Sequence, residues 1–347
     1  MNVLISISHP AWAHQFHNII DLLKKRGHNV KVLVVKKDRN WEILDEYGIE
    51  YTIVGNSTGK GKLDKALILL TSTFKHLVEA IKFKTDVLIG RPSPMMAITA
   101  FLIGKKNIVY CDTERSVESL FFSKLFSYKI LTPMFYRKDL GKKQMRIETF
   151  KELFYLHPNY FKANPEDLKL VGMKKGDKFS FVRFVAWNAS HDLGHKGFTN
   201  EQKMEIIKHL EKYGRVLVSS EEELPEEFNK YIIKVPHTKL HSIMSFAQLF
   251  VGDGLTMGCE CVVMGIHAIF TSELTSGAAD EMENRYGLMY SLTNRETMVE
   301  DTKQKIDELL KDEEIVEKGH EKLKKLLKDK KDVNEWWVDY LEKEVKE

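Results

Sequence analysis

The sequence of 347 residues predicts an α/β protein made of two similar halves and a helical tail. Three observations predict it. Short apolar runs alternate with stretches of helical spacing from Val3 onward. In the first half, polar or charged residues follow directly on several apolar runs, as ligand-binding loops do in open parallel sheets. Residues Leu249 to Phe270 read as strand, glycine turn, short helix and strand.

The first half opens with an apolar strand at Val3–Ser8, then His9-Pro10-Ala-Trp as a loop. Ala13–Arg26 has helical spacing, with Phe16, Ile19, Ile20 and Leu23 on one face, and Gly27 closes it. Asn29–Val35 is a nearly all-apolar strand, as expected for one buried on both faces. A short helix at Trp41–Tyr47 and a strand at Ile49–Val54 complete β-α-β-α-β, which requires right-handed crossovers and a parallel sheet. Gly55–Lys62 fails the phosphate-loop pattern, because Lys60 stands where glycine is needed, and reads as a mobile glycine loop. Leu63–Phe83 is a long helix. Asp86–Ile89 is a strand ending at Arg91 and Ser93, with Pro94 in the first turn of the next helix. Asn107–Cys111 is a strand ending in Asp112 and Glu114, and Lys129–Thr132 is the sixth.

From Arg137 to Lys178 aromatics, lysines and prolines alternate without a period, which reads as a connection with short helices. The sheet pattern restarts at Phe179–Ala186. Thr199–Tyr213 is a helix, Arg215–Ser219 and Tyr231–Val235 are strands, and His237–Phe246 is a helix. After Leu288–Leu292 the chain is helical and charged, with apolar faces at Leu323, Leu326 and Leu327 and at Trp336, Trp337, Tyr340 and Leu341. The domains are expected at 1–165, 166–325 and a terminal helix at 326–347.

Composition excludes several classes. With 53 basic and 50 acidic residues the net charge is +3, which argues against a nucleic-acid partner held by a basic field. The three cysteines form no CxxC pair, so a reducing, cytoplasmic compartment is expected. Met1 runs straight into a strand, so no signal peptide is expected, and no apolar run reaches membrane-spanning length. A basic-aromatic face of Phe121, Phe122, Leu125, Phe126 and Leu131 with Lys124, Lys129, Arg137 and Lys138 would suit a membrane surface. The preferred reading packs these apolar residues on the sheet.

The Gly254–Met257 turn presents backbone N–H groups at a helix start, where an anion is favoured. Its plainer reading is an ordinary strand-to-helix turn. Glu260, one turn on, is an odd carboxylate in a helix of small apolar residues; against a ligand role stands an interhelical salt bridge. His191 and His195 are four apart, but Gly194 interrupts a helix, so substrate contact is preferred to metal ligation.

These residues carry a resemblance. His9-Pro-Ala with His14 and Phe16, Asp112-Thr-Glu114, the stretch Arg183 to Gly197 and Gly252-Asp-Gly-Leu-Thr-Met257 with Glu260 resemble the GT-B superfamily of nucleotide-sugar glycosyltransferases and the related UDP-N-acetylglucosamine 2-epimerases. More narrowly they resemble an uncharacterised, mostly archaeal branch of it. The resemblance covers nearly the whole chain. It implies two Rossmann-like, doubly wound domains facing a cleft, with C-terminal helices crossing back onto the N-terminal domain. It implies that Gly254, Leu255, Thr256 and Met257 meet a diphosphate, that Glu260 binds ribose, and that Lys196, with Arg183 and His195, adds contacts to the nucleotide sugar. No cofactor and no metal are implied; the co-substrate is a nucleotide sugar, UDP-linked by preference. Three features depart from the pattern, one being Arg91 in the region of the epimerase acid after strand four. Gly252 replaces the glutamate of retaining enzymes, and the 2-epimerase motif Gly-Thr-Arg-Pro-Glu is absent.

The expected activity is therefore metal-independent sugar transfer to a glycan, lipid-linked or small-molecule acceptor. His9, Asp112 and Glu114 are the catalytic candidates, with His9 or Glu114 as base. His14, Arg91 and Ser93 would contact acceptor or sugar, although Arg91 paired to Asp112 or Glu114 is the plainer reading. The rivals are an epimerase or hydrolase of the same nucleotide sugar and a non-catalytic binding or assembly protein.

Overall fold

A computed structural model describes residues 1–57, 61–113, 117–185, 197–220 and 223–346. It divides into two compact units, Met1–Tyr160 with Lys330–Glu347, and Phe161–Asp329.

The first unit contains β1 (Asn2–Ile7), α1 (Pro10–Lys25), β2 (Asn29–Lys36), α2 (Asn40–Glu46), β3 (Thr52–Asn56), α3 (Lys62–Lys82) and β4 (Val87–Gly90). There follow α4 (Pro94–Leu102), β5 (Lys106–Tyr110), α5 (Val117–Phe126), β6 (Lys129–Pro133), β7 (Gln144–Ile147) and α6 (Leu153–Leu156). The seven strands are parallel, in the order β3-β2-β1-β4-β5-β6-β7. The order reverses between β1 and β4, so right-handed crossovers put α1 and α2 on one face and α3, α4 and α5 on the other. Leu4, Leu33, Val35 and Leu88 form a core with Ala80 and Met96 beneath the second group of helices.

The chain returns to this unit at its end. Helix α13 (Val333–Lys346) packs on α1. Its Trp337 is fully buried, with ring centroids 5.7 Å from Phe154, 5.9 Å from Phe16 and 6.4 Å from Tyr110. Arg26 pairs with Glu335 and, at 2.6 Å, with Asp339, and His28 meets Glu342 at 2.8 Å. At the re-entry point the buried Lys330 ammonium lies 2.7 Å from Glu148 and over the Phe150 ring.

The second unit holds β8 (Phe179–Phe184), α7 (Asn200–Leu210), β9 (Arg215–Ser220), α8 (His237–Met244), β10 (Leu249–Gly252) and α9 (Leu255–Val263). Then come β11 (His267–Thr271), α10 (Gly277–Asn284), β12 (Met289–Leu292), α11 (Met298–Leu310) and α12 (Ile315–Asp329). Its five strands are parallel, in the order β12-β11-β10-β8-β9, with the reversal between β8 and β10. Val182, Val218, Leu249 and Ile269 pack against Ile206, Ile207 and Ile306. A capping box starts α7, the Thr199 hydroxyl accepting from Gln202 N–H and the Gln202 side chain accepting from Thr199 N–H.

Some elements differ from expectation. Gln144–Ile147 is a strand, not connector: it pairs on the outer side of β6 with only its last residue buried, so it carries no apolar run. Tyr231–Val235 is not a strand. It makes one bridge, Ile232 to Val218, and the pairing goes no further before Pro236 starts the turn into α8. Helix α9 begins two residues earlier than its apolar pattern, directly at the glycine turn. Among the described residues no helix is long and apolar enough to cross a membrane.

Candidate functional site

Each unit gathers candidate residues at the carboxyl ends of its strands, flanking the point where strand order reverses. That is where open α/β sheets leave a crevice for ligands.

In the second unit β8 and β10 flank it. Gly252 pairs in register with Arg183, and the Asp253 carboxylate accepts from Val185 N–H at 2.9 Å, which ties the turn after β10 to the end of β8. The approach is so close that glycine is needed. A Cβ on Gly252 would lie 2.4 Å from the Arg183 carbonyl oxygen, and one on Gly254 would lie 3.1 Å from both Arg183 Cγ and Val185 Cγ1. Gly254 is the N-cap of α9 and brings no capping side chain of its own. The first N–H groups of Leu255, Thr256 and Met257 have no intrahelical acceptor, and the helix dipole adds partial positive charge there. Arg183 extends over β9, its Nη1 donating to Ser219 Oγ at 2.6 Å. Glu260 is buried, with Oε1 3.1 Å from His241 Nε2, a pair that joins α9 to α8. Lys196, His195, His191 and Asp192 lie outside the described residues.

In the first unit β1, β4 and β5 bring His9, Arg91 and Asp112 to one sheet end. His9 is the N-cap of α1, its Nδ1 accepting from Ala11 N–H at 3.2 Å, with Pro10 at the first helical position. Burial first, then the charges of Lys37, Arg91 and Lys151, lower its pKa to about 4 against the opposing pull of Asp38. The ring is therefore neutral at pH 7. Since Nδ1 is an acceptor, the proton sits on Nε2, and the free edge of His9 is a donor. Arg91 is buried, stacks over Tyr110 at 5.6 Å and pairs with Asp112. Its Nε and Nη1 are buried without an acceptor among the described residues. Burial alone would raise the Asp112 carboxyl, but Arg91 and Lys151, the latter at 3.4 Å, outweigh it and hold the pKa at about 2. As held, Asp112 is a weak base.

His14 Nδ1 meets the Tyr47 hydroxyl at 2.7 Å and its ring tilts on Tyr155, while His17 stacks on Tyr47 at 4.2 Å. Ser93 is the N-cap of α4 but its side chain makes no cap bond. Glu114 and Arg115 lie outside the described residues. Sequence reasoning missed Lys151 and Glu152, 3.4 Å apart, because they sit in the stretch read as connector; no local pattern marks them. No three His, Cys, Asp or Glu side chains converge as metal ligands among the described residues.

Comparison with known proteins follows from this geometry. A family model described as "Protein of unknown function (DUF354)" matches residues 1–333. No curated protein matches the sequence. Among solved structures, the spinosyn forosaminyltransferase SpnP is similar with a TM-score of 0.70 and 14% identity, each chain being covered over 100%. The UDP-GlcNAc 2-epimerase from Neisseria meningitidis, solved bound to UDP-GlcNAc, matches at 0.68 and 12%, over 99% of this chain and 100% of that one. The spinosyn rhamnosyltransferase SpnG, complexed with spinosyn aglycone, matches at 0.64 and 11%, over 99% and 100%. The fold is thus the α/β fold of GT-B glycosyltransferases and UDP-GlcNAc 2-epimerases, with two parallel sheets.

Proposed function

The chain belongs to that family of unknown function, and we propose that it is a glycosyltransferase taking its sugar from a nucleotide diphosphate donor, UDP-linked by preference. One observation carries the reading: the glycine N-cap of α9, held by Gly252 and Gly254 against the end of β8 at the reversal point of the second sheet. The neighbours solved with UDP-GlcNAc and with an aglycone support it.

In this reading the N–H groups after Gly254 and the Arg183 guanidinium meet the diphosphate, with Lys196 and His195, which follow β8 in the sequence, adding to them. As the bond from the sugar's anomeric carbon to the diphosphate breaks, the charge gained by the leaving oxygen is met by these fixed dipoles and cations. Glu260, paired with His241, meets the ribose hydroxyls. In the first unit the Nε2–H of His9 donates to a sugar or acceptor oxygen, with Ser93 and His14 lining the same sheet end. Asp112 orients Arg91. The acceptor hydroxyl attacks the anomeric carbon and gives its proton to Glu114. No metal or cofactor is part of this proposal.

Calorimetric titration with UDP, GDP, TDP and their sugar conjugates tests it, with Glu260→Ala in parallel. One nucleotide should bind the native chain, and the variant about tenfold or more weakly. No binding of any nucleotide to the folded chain would overturn the reading. The second reading is epimerisation, favoured by the match to the Neisseria enzyme; an isomerised sugar nucleotide formed without any acceptor would select it.

A further inference from the structure

The second helical face of the first unit carries more exposed apolar surface than a sheet-covering layer requires. Twelve large hydrophobic residues are exposed among the described residues, and eight of them lie on α3, α4 and α5: four, two and two. On α3 they are Leu67, Leu70, Phe74 and Ile81, with Leu67, Leu70 and Phe74 at 62%, 68% and 67% exposure. Their spacing of three, four and seven puts them on one stripe. The opposite side of the same helix, Ser72, His76 and Ala80, is the side buried in the unit. The apolar stripe of this helix thus lies on the side turned away from the core of the unit. Phe101 and Leu102 continue the surface on α4, and Phe121 and Leu125 on α5; α4 packs between the other two, and Phe101 touches Phe126 with ring centroids 4.9 Å apart. The expectation that Phe121 and Leu125 pack on the sheet is thereby corrected: they face outward at 58% and 53% exposure, whereas Leu131 is buried.

Charge indicates what covers this surface. Lys75, Lys82, Lys84, Lys105 and Lys124 are exposed on these helices and at their ends. The acidic side chains described on the three helices are Asp64, in the first turn of α3, and Glu79, which is paired to Lys31 and lies 3.8 Å from Lys82. Apolar anchors fringed by lysine fit the boundary of an anionic bilayer, where acyl chains take the anchors and headgroups take the ammonium groups. A second copy of the chain would set lysine against lysine.

We propose that the face formed by α3, α4 and α5 docks on an anionic lipid surface, which makes this a peripheral membrane protein. Each side chain that enters the boundary is already outside the core, so docking needs no unfolding.

Flotation of the full chain with vesicles tests the proposal, with pure phosphatidylcholine set beside a phosphatidylcholine–phosphatidylglycerol mixture. The chain should float with the mixed vesicles and be released from them by high salt. The double variant Leu70→Ser, Phe74→Ser should bind them about tenfold or more weakly while its circular dichroism and thermal unfolding stay those of the native chain. Both positions are exposed and far in sequence from the proposed sugar-nucleotide site, so nucleotide titration reads that proposal separately. Failure to float with mixed vesicles would overturn docking, and so would binding that the double variant retains. A native dimer in sedimentation velocity that the same variant dissociates would overturn it too, assigning the face to a second copy.

Discussion

The buried pair of Arg91 and Asp112 makes a quantitative demand on the first unit. The side chains are 9% and 13% exposed, and Asp112 is the only described carboxylate bonded to this guanidinium. Asp112→Asn keeps the shape and removes the charge, leaving a buried cation whose Nε and Nη1 already lack acceptors among the described residues. Breaking a buried pair from one side costs ~3–5 kcal/mol, more than the net worth of the pair, because the surviving charge stays desolvated. Removing both charges should restore much of the loss, so Arg91→Met with Asp112→Asn is expected to be more stable than Asp112→Asn alone by ~2 kcal/mol. The pH dependence follows from the same pair. The carboxyl moves from an ordinary 3.8 to about 2 in the folded chain. The folded value is the lower, so the stabilisation is complete above the ordinary value and is lost as pH falls through the folded one. It amounts to roughly 2 kcal/mol. Urea unfolding followed by circular dichroism over a pH series measures both effects. The gap between native chain and Asp112→Asn should narrow by roughly 2 kcal/mol as acid protonates the native carboxyl. A gap that stays constant into strong acid, or a double variant no better than the single one, would refute this account of the pair.

Two further outcomes are expected. His9→Ala removes the cap on α1 and should cost ~1 kcal/mol, whereas His9→Asn should retain most of the stability; equal losses in urea unfolding would show that the cap contributes little. Trp337→Ala should cost ~3–5 kcal/mol, read by the same assay. Trp337→Phe should cost far less, because the indole N–H it removes has no acceptor among the described residues; a loss equal to that of alanine would show that indole shape, not apolar volume, holds α13.

The parallel sheets were legible because each strand is a short apolar run closed by a turn or helix signal, and the glycine turn after Val251 because close approach leaves glycine little alternative. Edge elements were not, since β7 is half-covered and carries no apolar run. Within the candidate sites, position along the chain was readable and pairing only in part. Arg91 with Asp112 follows from two neighbouring strand ends and was open to sequence reasoning. Glu260 with His241 depends on the packing of α9 beside α8, which no spacing encodes. Nor does His9 reveal from its sequence position that its Nδ1 is spent on Ala11 and only a donor is left.

The return of α13 to the first unit also sets an order of assembly. The second unit is one uninterrupted stretch, whereas the first needs the residues after Asp329. During synthesis N-terminal domains ordinarily complete themselves first. Here the ribosome releases the first sheet with the site around Phe16, Tyr110 and Phe154 still lacking its Trp337, and the segment that fills it is translated only after the whole second unit. Of the two units, the one begun first is therefore completed second, and a truncation that removes α13 would damage the N-terminal unit while leaving the C-terminal one whole.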